Sequence, residues 1–238
     1  MELVYPPVIG LAKTMFRVLD MKIEIDGAEH IPATGGAVLA SNHVSYLDFI
    51  FCGLGAQPAK RLVRFMAKKS VFDHKVSGPL MRGMRHIPVD REAGAASFRE
   101  AATALKDGEV VGVFPEATIS ESFTVKEMKS GAVRLARTAK VPLIPMVVWG
   151  PHRLWTKGRP KELTKRHVPV IIKIGEAIEI PKGVSPEIIT ATLKARLSSL
   201  LDAAQQAYPE KPTGPDDRWW LPAHMGGTAP LPEPAAAV

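Results

Sequence analysis

The run Val110-Val111-Gly112-Val113-Phe114 decides the fold class of this chain. It has no polar side chain, whereas a strand with one face in solvent alternates apolar with polar residues. A strand buried on both faces is typical of a parallel sheet that helices cover on both sides. Polar residues follow the run directly, beginning with Glu116.

Other β-rich runs recur along the chain, with helical patterns between most of them. The runs are Lys22–Asp26, Ala37–Ser41, Leu62–Met66, His86–Val89, Leu143–Trp149 and Val168–Ile174. The helical patterns are Phe49–Leu54, Arg91–Lys106, Lys126–Lys140 and Pro186 to about Tyr208. Ser185 stands where it can cap the last helix. This alternation predicts an α/β fold with a central, mostly parallel sheet flanked by helices, in a single domain over residues 21–208.

Composition and charge limit the class of protein. The chain has 238 residues, 46% hydrophobic and 23% charged, which is typical of a globular protein with a real core. The net charge of +7 favours an anionic partner: nucleic acid, acidic lipid headgroups or a phosphorylated small molecule. The single cysteine, Cys52, excludes an internal disulfide and a cysteine-based zinc cluster. The histidines show no metal-ligand spacing, so we expect no metal.

The N-terminal residues 1–20 predict an amphipathic helix. Apolar residues at helical spacing are Val8, Leu11, Met15 and Val18, and Lys13 and Arg17 share another face. Such a helix either lies in a membrane interface or packs on the protein's own core, and both alternatives remain open. No run of about 18 apolar residues occurs, so we expect no spanning helix. We also expect no signal peptide.

The C-terminal residues 209–238 change in composition, because seven of these 30 residues are proline. This predicts a Pro-rich tail that is extended or disordered. Trp219 and Trp220 are unusual in a free tail. They either dock on the domain or contact lipid, and docking is the favoured alternative.

The first candidate site is the segment from Asn42 to Asp48, which follows a predicted strand and precedes an apolar helix. On a helix His43 and Asp48 would point about 140° apart, and on a strand they would face opposite sides. They can therefore meet only if the chain turns between them. If they meet, the carboxylate can orient the imidazole while His43 removes a proton from a hydroxyl. The alternative is that Asp48 caps the next helix and His43 is a core residue.

The second candidate site is the segment Phe114–Ser120, at the end of the buried strand. Both segments can line one rim of the sheet, where ligands gather in open α/β folds. Glu116 offers a carboxylate, and Thr118 and Ser120 offer amides and hydroxyls for an anion or a polyol. The segment Lys126–Gly131 opens a helix whose N-terminal amides can help to hold phosphate. The alternative is a surface turn followed by a solvated charge run.

Together these segments resemble the glycerolipid acyltransferases, and most closely the PlsC-like 1-acylglycerol-3-phosphate (lysophosphatidate) acyltransferases. The resemblance is carried by Asn42-His43-x-Ser45-x-x-Asp48 and, about 66 residues later, by Phe114-Pro115-Glu116-x-Thr118-x-Ser120. Ile87–Arg91 looks like the family's second block, and Val141–Val147 looks like its fourth. The four blocks stand in the family's order within roughly residues 20–180.

The resemblance implies a glycerol-3-phosphate acyltransferase-like fold and a role for each matched residue. His43 would be the general base and Asp48 its orienting partner. Arg91 and Lys129 would contact the acceptor phosphate, Glu116 would hold the acceptor's glycerol or order the site, and Thr118 would bind substrate. The acyl group would pass from acyl-coenzyme A or an acyl carrier protein to lysophosphatidate, giving phosphatidate, with no cofactor.

Two positions depart from the family pattern. The third block usually has Gly where this chain has Ala117, and Arg where it has Ile119. That Arg is thought to bind the acceptor phosphate, which an apolar Ile cannot do. Another lysophospholipid or a glycolipid therefore remains open as the acceptor.

Two basic clusters, residues 60–69 and 153–166, are either solvated faces or contacts for an anionic membrane surface, coenzyme A or a carrier protein. With the N-terminal helix they predict a peripheral protein on the cytoplasmic side of the cell membrane. Nucleic acid is not expected, since aromatics are 6% and no nucleic-acid motif occurs. A serine hydrolase is disfavoured because no Gly-x-Ser-x-Gly occurs. A non-catalytic membrane-binding protein is disfavoured because it needs no general base.

Overall fold

A computed structural model of the chain describes residues 3–90 and 94–232. The strands are β1 Ile23–Asp26, β2 Ala37–Ser41, β3 Val63–Lys68, β4 Ile87–Val89, β5 Val110–Val113, β6 Leu143–Trp149 and β7 Val170–Ile174. The helices are α1 Tyr5–Val18, α2 Asp48–Gly55, α3 Lys69–Asp73, α4 Ser77–Gly83, α5 Gly94–Lys106, α6 Gly131–Ala139 and α7 Pro186–Gln206. The predicted α/β architecture is confirmed.

The strands form one sheet in the order β1-β7-β6-β2-β5-β3-β4. Every neighbouring pair is parallel except β6 and β7, so the prediction of a mostly parallel sheet is correct. Val110 and Val111 are completely buried in β5, as their continuous apolar run predicts. Gly112 is required there, because a Cβ at this position would lie 2.4 Å from the Phe65 ring on the neighbouring strand β3.

Helices cover both faces of the sheet. On one face α7 contributes Leu193, Leu197 and Leu201, which stand four residues apart and are at most 2% exposed. On the other face Phe51 of α2 stacks on Phe16 of α1 at 4.8 Å between ring centroids, and Cys52 is buried in the same layer. Each such side chain contributes about 1.5–3 kcal/mol by leaving water, so the two layers hold the sheet between them.

Helix α1 packs on the domain and also leaves an apolar stripe in solvent. Tyr5 and Phe16 are buried, but Leu11, Met15 and Val18 are 72%, 45% and 63% exposed. Of the four apolar residues at helical spacing, three therefore face solvent, and other residues of α1 pack on the core. One side of α1 is thus buried against the domain, and a second apolar side faces solvent.

The tail is a correction to the sequence prediction. Over its described part, residues 209–232, it is neither free nor extended throughout, since two short 3-10 helices form at Pro215–Arg218 and Ala223–Met225. Trp220 is completely buried, and the Arg153 guanidinium lies 4.4 Å from its ring centroid. Burying so large an aromatic surface stabilises the docked tail.

Two of the predicted helix boundaries need correction. Helix α6 begins at Gly131 and not at Lys126. The Lys129 N–H, which a helix beginning at Lys126 would direct at the carbonyl four residues back, instead donates to the Pro115 carbonyl in the preceding loop. Helix α7 begins as predicted, with the Ser185 hydroxyl accepting a hydrogen bond from the Ile188 N–H at 3.3 Å, and it ends at Gln206. Residues 91–93 of the predicted helix Arg91–Lys106 lie outside the described residues.

Candidate active site

The two candidate segments meet at one rim of the sheet. Strands β2 and β5 are direct neighbours, so the loops that leave their carboxyl ends are adjacent. The His43 N–H donates to Glu116 Oε1 at 2.8 Å, and the Ser120 N–H donates to the His43 carbonyl at 2.7 Å. The predicted common rim is therefore confirmed, and the first loop is hydrogen-bonded directly to the second.

The chain turns between His43 and Asp48, which brings their side chains together. His43 Nδ1 lies 3.0 Å from Asp48 Oδ2. The same oxygen accepts hydrogen bonds from the Val44 N–H at 2.7 Å and the Ser45 N–H at 2.8 Å. Asp48 does not cap α2, because Leu47 is the N-cap residue. Its carboxylate instead accepts hydrogen bonds from three consecutive residues of the loop, His43 to Ser45.

The pair is closed on one side and open on the other. Asp48 is completely buried, whereas the His43 side chain is 20% exposed. The His43 ring stacks on Phe114 at 4.3 Å between centroids, and its Nε2 makes no hydrogen bond to any residue that the structure describes. Burial raises the pKa of Asp48, while hydrogen bonds from His43, Ser45 and Val44 oppose the rise. The arrangement leaves Nε2 for a substrate hydroxyl.

Glu116 joins the backbones of two loops. Its Oε1 accepts the His43 N–H, and its Oε2 accepts the Lys126 N–H at 3.0 Å. The residue is 6% exposed, and burial raises its pKa to about 7, opposed by the bonds from Lys126 and His43. Both oxygens are engaged within the protein, which matches ordering of the site better than direct contact with the acceptor.

The other predicted substrate contacts lie around these two loops. Thr118 is exposed, and its hydroxyl accepts a hydrogen bond from Lys126 Nζ at 3.2 Å. Lys129 is exposed as well, and its N–H donates to the Pro115 carbonyl at 3.0 Å, so it stays beside the Glu116 loop. Arg91 lies outside the described residues.

The two departures from the family pattern have structural counterparts. Ala117 has a φ of +61°, in the left-handed region that favours glycine. Ile119 is only 6% exposed, so its apolar side chain is buried where the family pattern has Arg.

Two contributions to the site were missed by sequence reasoning. The buried Asn42 side chain pairs with the Val148 backbone, donating to its carbonyl at 3.1 Å and accepting its N–H at 2.8 Å. This continues the pairing of β2 with β6 by one residue. In the sequence, Asn42 was only the first residue of the first block and carried no predicted role. The second contribution is the loop after β6. The Trp155 carbonyl accepts the Ser45 hydroxyl at 2.7 Å, and the Thr156 hydroxyl donates to the Val44 carbonyl at 2.7 Å.

Neither a metal centre nor a membrane span is found in the described parts of the chain. No group of three or more His, Cys, Asp or Glu residues there could hold a metal ion. No helix among the described residues is both long and apolar enough to cross a bilayer.

The chain is similar in sequence to known acyltransferases. The acyltransferase family model matches residues 22–149. A 1-acyl-sn-glycerol-3-phosphate acyltransferase of Bacillus subtilis (strain 168) is 32% identical over 189 residues, which are 79% of this chain and 87% of that protein. Its counterpart in Limnanthes alba is 33% identical over 157 residues, or 63% of this chain. The match covers 54% of that plant protein, so this chain spans about half its length.

A solved structure also resembles the chain. The crystal structure of the 1-acyl-sn-glycerophosphate (LPA) acyltransferase PlsC from Thermotoga maritima superposes with a TM-score of 0.67 at 25% identity. The match covers 83% of this chain and 78% of that one.

Proposed function

Since the chain belongs to the acyltransferase family, we propose that it transfers a fatty acyl group to the free hydroxyl of 1-acylglycerol 3-phosphate and so makes phosphatidate. Relatives from bacteria and plants carry the name of this activity. The single observation that carries the proposal is the His43–Asp48 pair, with its buried carboxylate and its partly open imidazole.

The chemistry follows from that pair. Asp48 accepts a hydrogen bond from the Nδ1–H of His43, which leaves Nε2 unprotonated to take the proton of the acceptor hydroxyl. The hydroxyl oxygen then attacks the thioester carbonyl, forming a C–O bond. The C–S bond breaks, and the proton held by His43 passes to the departing thiolate. No covalent bond to the protein is needed at any step.

The acceptor phosphate would be held by two cations, one beside the Glu116 loop and one from the second sequence block. Lys129 is exposed beside this loop, and Arg91 stands in the second sequence block. We assign both to phosphate binding and Thr118 to the acceptor. The buried Ile119 supports one second candidate, a different acceptor such as another lysophospholipid or a glycolipid, because no cation stands at that position.

The acyl donor would be a thioester of coenzyme A or of an acyl carrier protein. The loop after β6 borders the segment of residues 42–48, here called the catalytic loop, and carries exposed cations, among them Lys157, Arg159 and Lys161. These can attract the phosphates of coenzyme A or the acidic surface of a carrier protein.

The protein would act as a peripheral protein on the cytoplasmic side of a membrane, where its lipid acceptor lies. Leu11, Met15 and Val18 form an outward apolar stripe on α1, and Lys13 and Arg17 are exposed on the same helix. An amphipathic helix of this kind binds anionic bilayers by burying its apolar side while its cations meet the headgroups.

A flotation assay tests the membrane contact. Leu11→Ser with Met15→Ser should reduce binding to vesicles of anionic phospholipid at least threefold. Ile188→Ser is the matched control, because Ile188 is 60% exposed on α7 and its loss should leave binding unchanged. Equal binding by all three proteins would contradict the assignment of α1 as the membrane contact.

An acyl-transfer assay tests the reaction. Labelled palmitoyl-coenzyme A or a palmitoylated carrier protein would be offered with lysophosphatidate, glycerol 3-phosphate, lysophosphatidylcholine or a lysoglycolipid, with His43→Ala as control. Labelled phosphatidate that disappears in the variant would support the proposal. Transfer to lysophosphatidylcholine or to the lysoglycolipid, but not to lysophosphatidate, would favour the second candidate. No transfer from either donor would contradict acyl transfer by this protein.

A further inference from the structure

Thr156 holds the catalytic loop from the side opposite Asp48. Its side chain is buried, with the residue 2% exposed, and its hydroxyl donates to the Val44 carbonyl at 2.7 Å. Val44 directly follows His43. Neither the composition of the loop after β6 nor the sequence blocks of the family pointed to this threonine.

The Val44 carbonyl and the Ser45 N–H belong to one planar peptide unit. Its carbonyl accepts the Thr156 hydroxyl, and its N–H donates to Asp48 Oδ2 at 2.8 Å. Turning the peptide to free one bond therefore breaks the other. Thr156 thus fixes the orientation in which this N–H meets the same carboxylate oxygen that binds His43.

The loop that carries Thr156 is itself firmly attached. The Trp155 carbonyl accepts both the Ser45 hydroxyl at 2.7 Å and the Tyr46 N–H at 3.2 Å. The Trp155 ring lies 4.7 Å from the Tyr46 ring between centroids. Just upstream, His152 Nε2 makes a hydrogen bond to the carbonyl of the buried Trp220 at 3.0 Å.

We propose that Thr156 is a positioning residue for acyl transfer, because its hydroxyl fixes the Val44–Ser45 peptide and so keeps the Asp48 carboxylate on His43. This inference rests on the proposed function, in which His43 is the base. Thr156 does not touch the reacting atoms. Its loss should lower kcat and leave substrate affinity unchanged, since the bond serves the geometry of the base.

Paired variants test the role of the hydroxyl. Thr156→Val removes the donor and keeps the shape, and we expect kcat to fall at least tenfold with KM for donor and acceptor within twofold. Thr156→Ser keeps a donor and should retain kcat within threefold. The kcat of Thr156→Ala should fall as far as that of Thr156→Val. The alanine variant replaces the valine variant in the test if the valine variant does not fold.

Thr190→Val is the matched control. Thr190 is also buried, at 8% exposure, and its hydroxyl donates to the Pro186 carbonyl at the same distance of 2.7 Å, within α7. This variant should keep full kcat. If Thr190→Val lowers kcat as much as Thr156→Val, or if Thr156→Ser does not restore it, the positioning role is wrong and the effect is one of stability.

Amide hydrogen exchange separates this inference from the proposed function. Thr156→Val should speed the exchange of the Ser45 N–H at least tenfold, and Thr190→Val should not. Unchanged exchange at Ser45 would overturn the proposed tether whatever the activity. If the tether is lost as expected but the wild-type protein transfers no acyl group, the proposed function fails and the role in acyl transfer fails with it.

Discussion

The two ends of the sheet both contain buried charge, but they use it differently. At the amino ends of β3 and β5, the buried Arg64 donates to Glu109 at 3.2 Å and to the Met84 carbonyl at 2.8 Å. Nearby, Arg61 donates to three carbonyls. At the carboxyl ends, the buried Asp48 holds a histidine whose far nitrogen has no partner among the described residues.

The difference shows that buried charge by itself does not locate an active site. Arg64 and Arg61 direct donors at acceptors of the protein, so their charge is hydrogen-bonded within the fold. The pair of His43 and Asp48 has one side fixed by the protein and one side left open. That asymmetry is what we expect of the reactive end of the sheet.

The largest expected effect is the loss of the base. His43→Ala should lower kcat about a thousandfold, as expected for removal of a general base, while the variant stays folded. Its free energy of unfolding should fall by about 1–2 kcal/mol, because the hydrogen bond to the buried Asp48 is lost. Initial rates and urea unfolding of the same preparation measure both quantities. Residual activity above a few per cent would contradict the assignment of the base.

The reverse result is expected at the amino end. Arg64→Met should lower the free energy of unfolding by about 3 kcal/mol, since it removes the charged donor to the Met84 carbonyl and one of the two cations that pair with the partly buried Glu109. Below its melting temperature the variant should keep kcat within twofold. A large loss of kcat in the folded variant would mean that the two ends of the sheet are not separate in function.

At the carboxyl end of the sheet, Glu116 should make the stability of the protein depend on pH. Its pKa of about 7 lies above its ordinary value of 4.5, so the folded protein holds this proton more tightly than the unfolded chain. The resulting stability is fully present below pH 4.5 and is lost as pH rises through 7. At about 1.4 kcal/mol for each pKa unit, the loss amounts to about 3 kcal/mol.

Glu116→Gln should remove this contribution. Urea unfolding at pH 5 and pH 8 should therefore differ less in the variant than in the wild type. The amide also has one acceptor oxygen where the carboxylate has two, so one of the N–H groups of His43 and Lys126 loses its partner and kcat should fall about tenfold. An identical pH dependence in both proteins would show that Glu116 titrates normally.

The smallest effect is expected at Ala117. Because its φ of +61° is unfavourable for a residue with a Cβ, Ala117→Gly should raise the free energy of unfolding by about 1 kcal/mol. Differential scanning calorimetry would measure this as a higher Tm. A lower Tm would mean that the entropy of glycine in the unfolded chain outweighs the relief of strain.

The sheet could be predicted because its signal is local. The apolar run of β5 and the helical periodicities lie within short windows of sequence, and the structure confirms them to within a few residues. His43 and Asp48 were found because they stand only five residues apart in one short segment. Helix α6 was predicted to begin too early, because the Lys129 N–H donates to the carbonyl of Pro115, fourteen residues earlier, and not to a carbonyl of its own turn.

The rest of the site depends on contacts between distant segments. Thr156 meets Val44 across 112 residues, and Asn42 meets Val148 across 106. Neither threonine nor asparagine carries a pattern that names its partner. The docking of Trp220 was favoured only because a large aromatic residue is unusual in a free tail, and its partner Arg153 could not be named.

Cys52 lies under the catalytic loop in α2, where it is 1% exposed and its thiol donates to the Ser41 hydroxyl at 3.3 Å. Burial raises its pKa, so the folded protein carries a thiol that alkylating reagents reach only when the domain opens. As the chain has a single cysteine, its rate of alkylation measures how often the layer that α1 and α2 form on the sheet opens. Because this buried thiol does not react in the folded protein, a cysteine introduced on the surface can be labelled selectively. A cysteine introduced in place of the exposed Leu11 would carry a fluorescent probe without background, and that probe would report when α1 meets a bilayer.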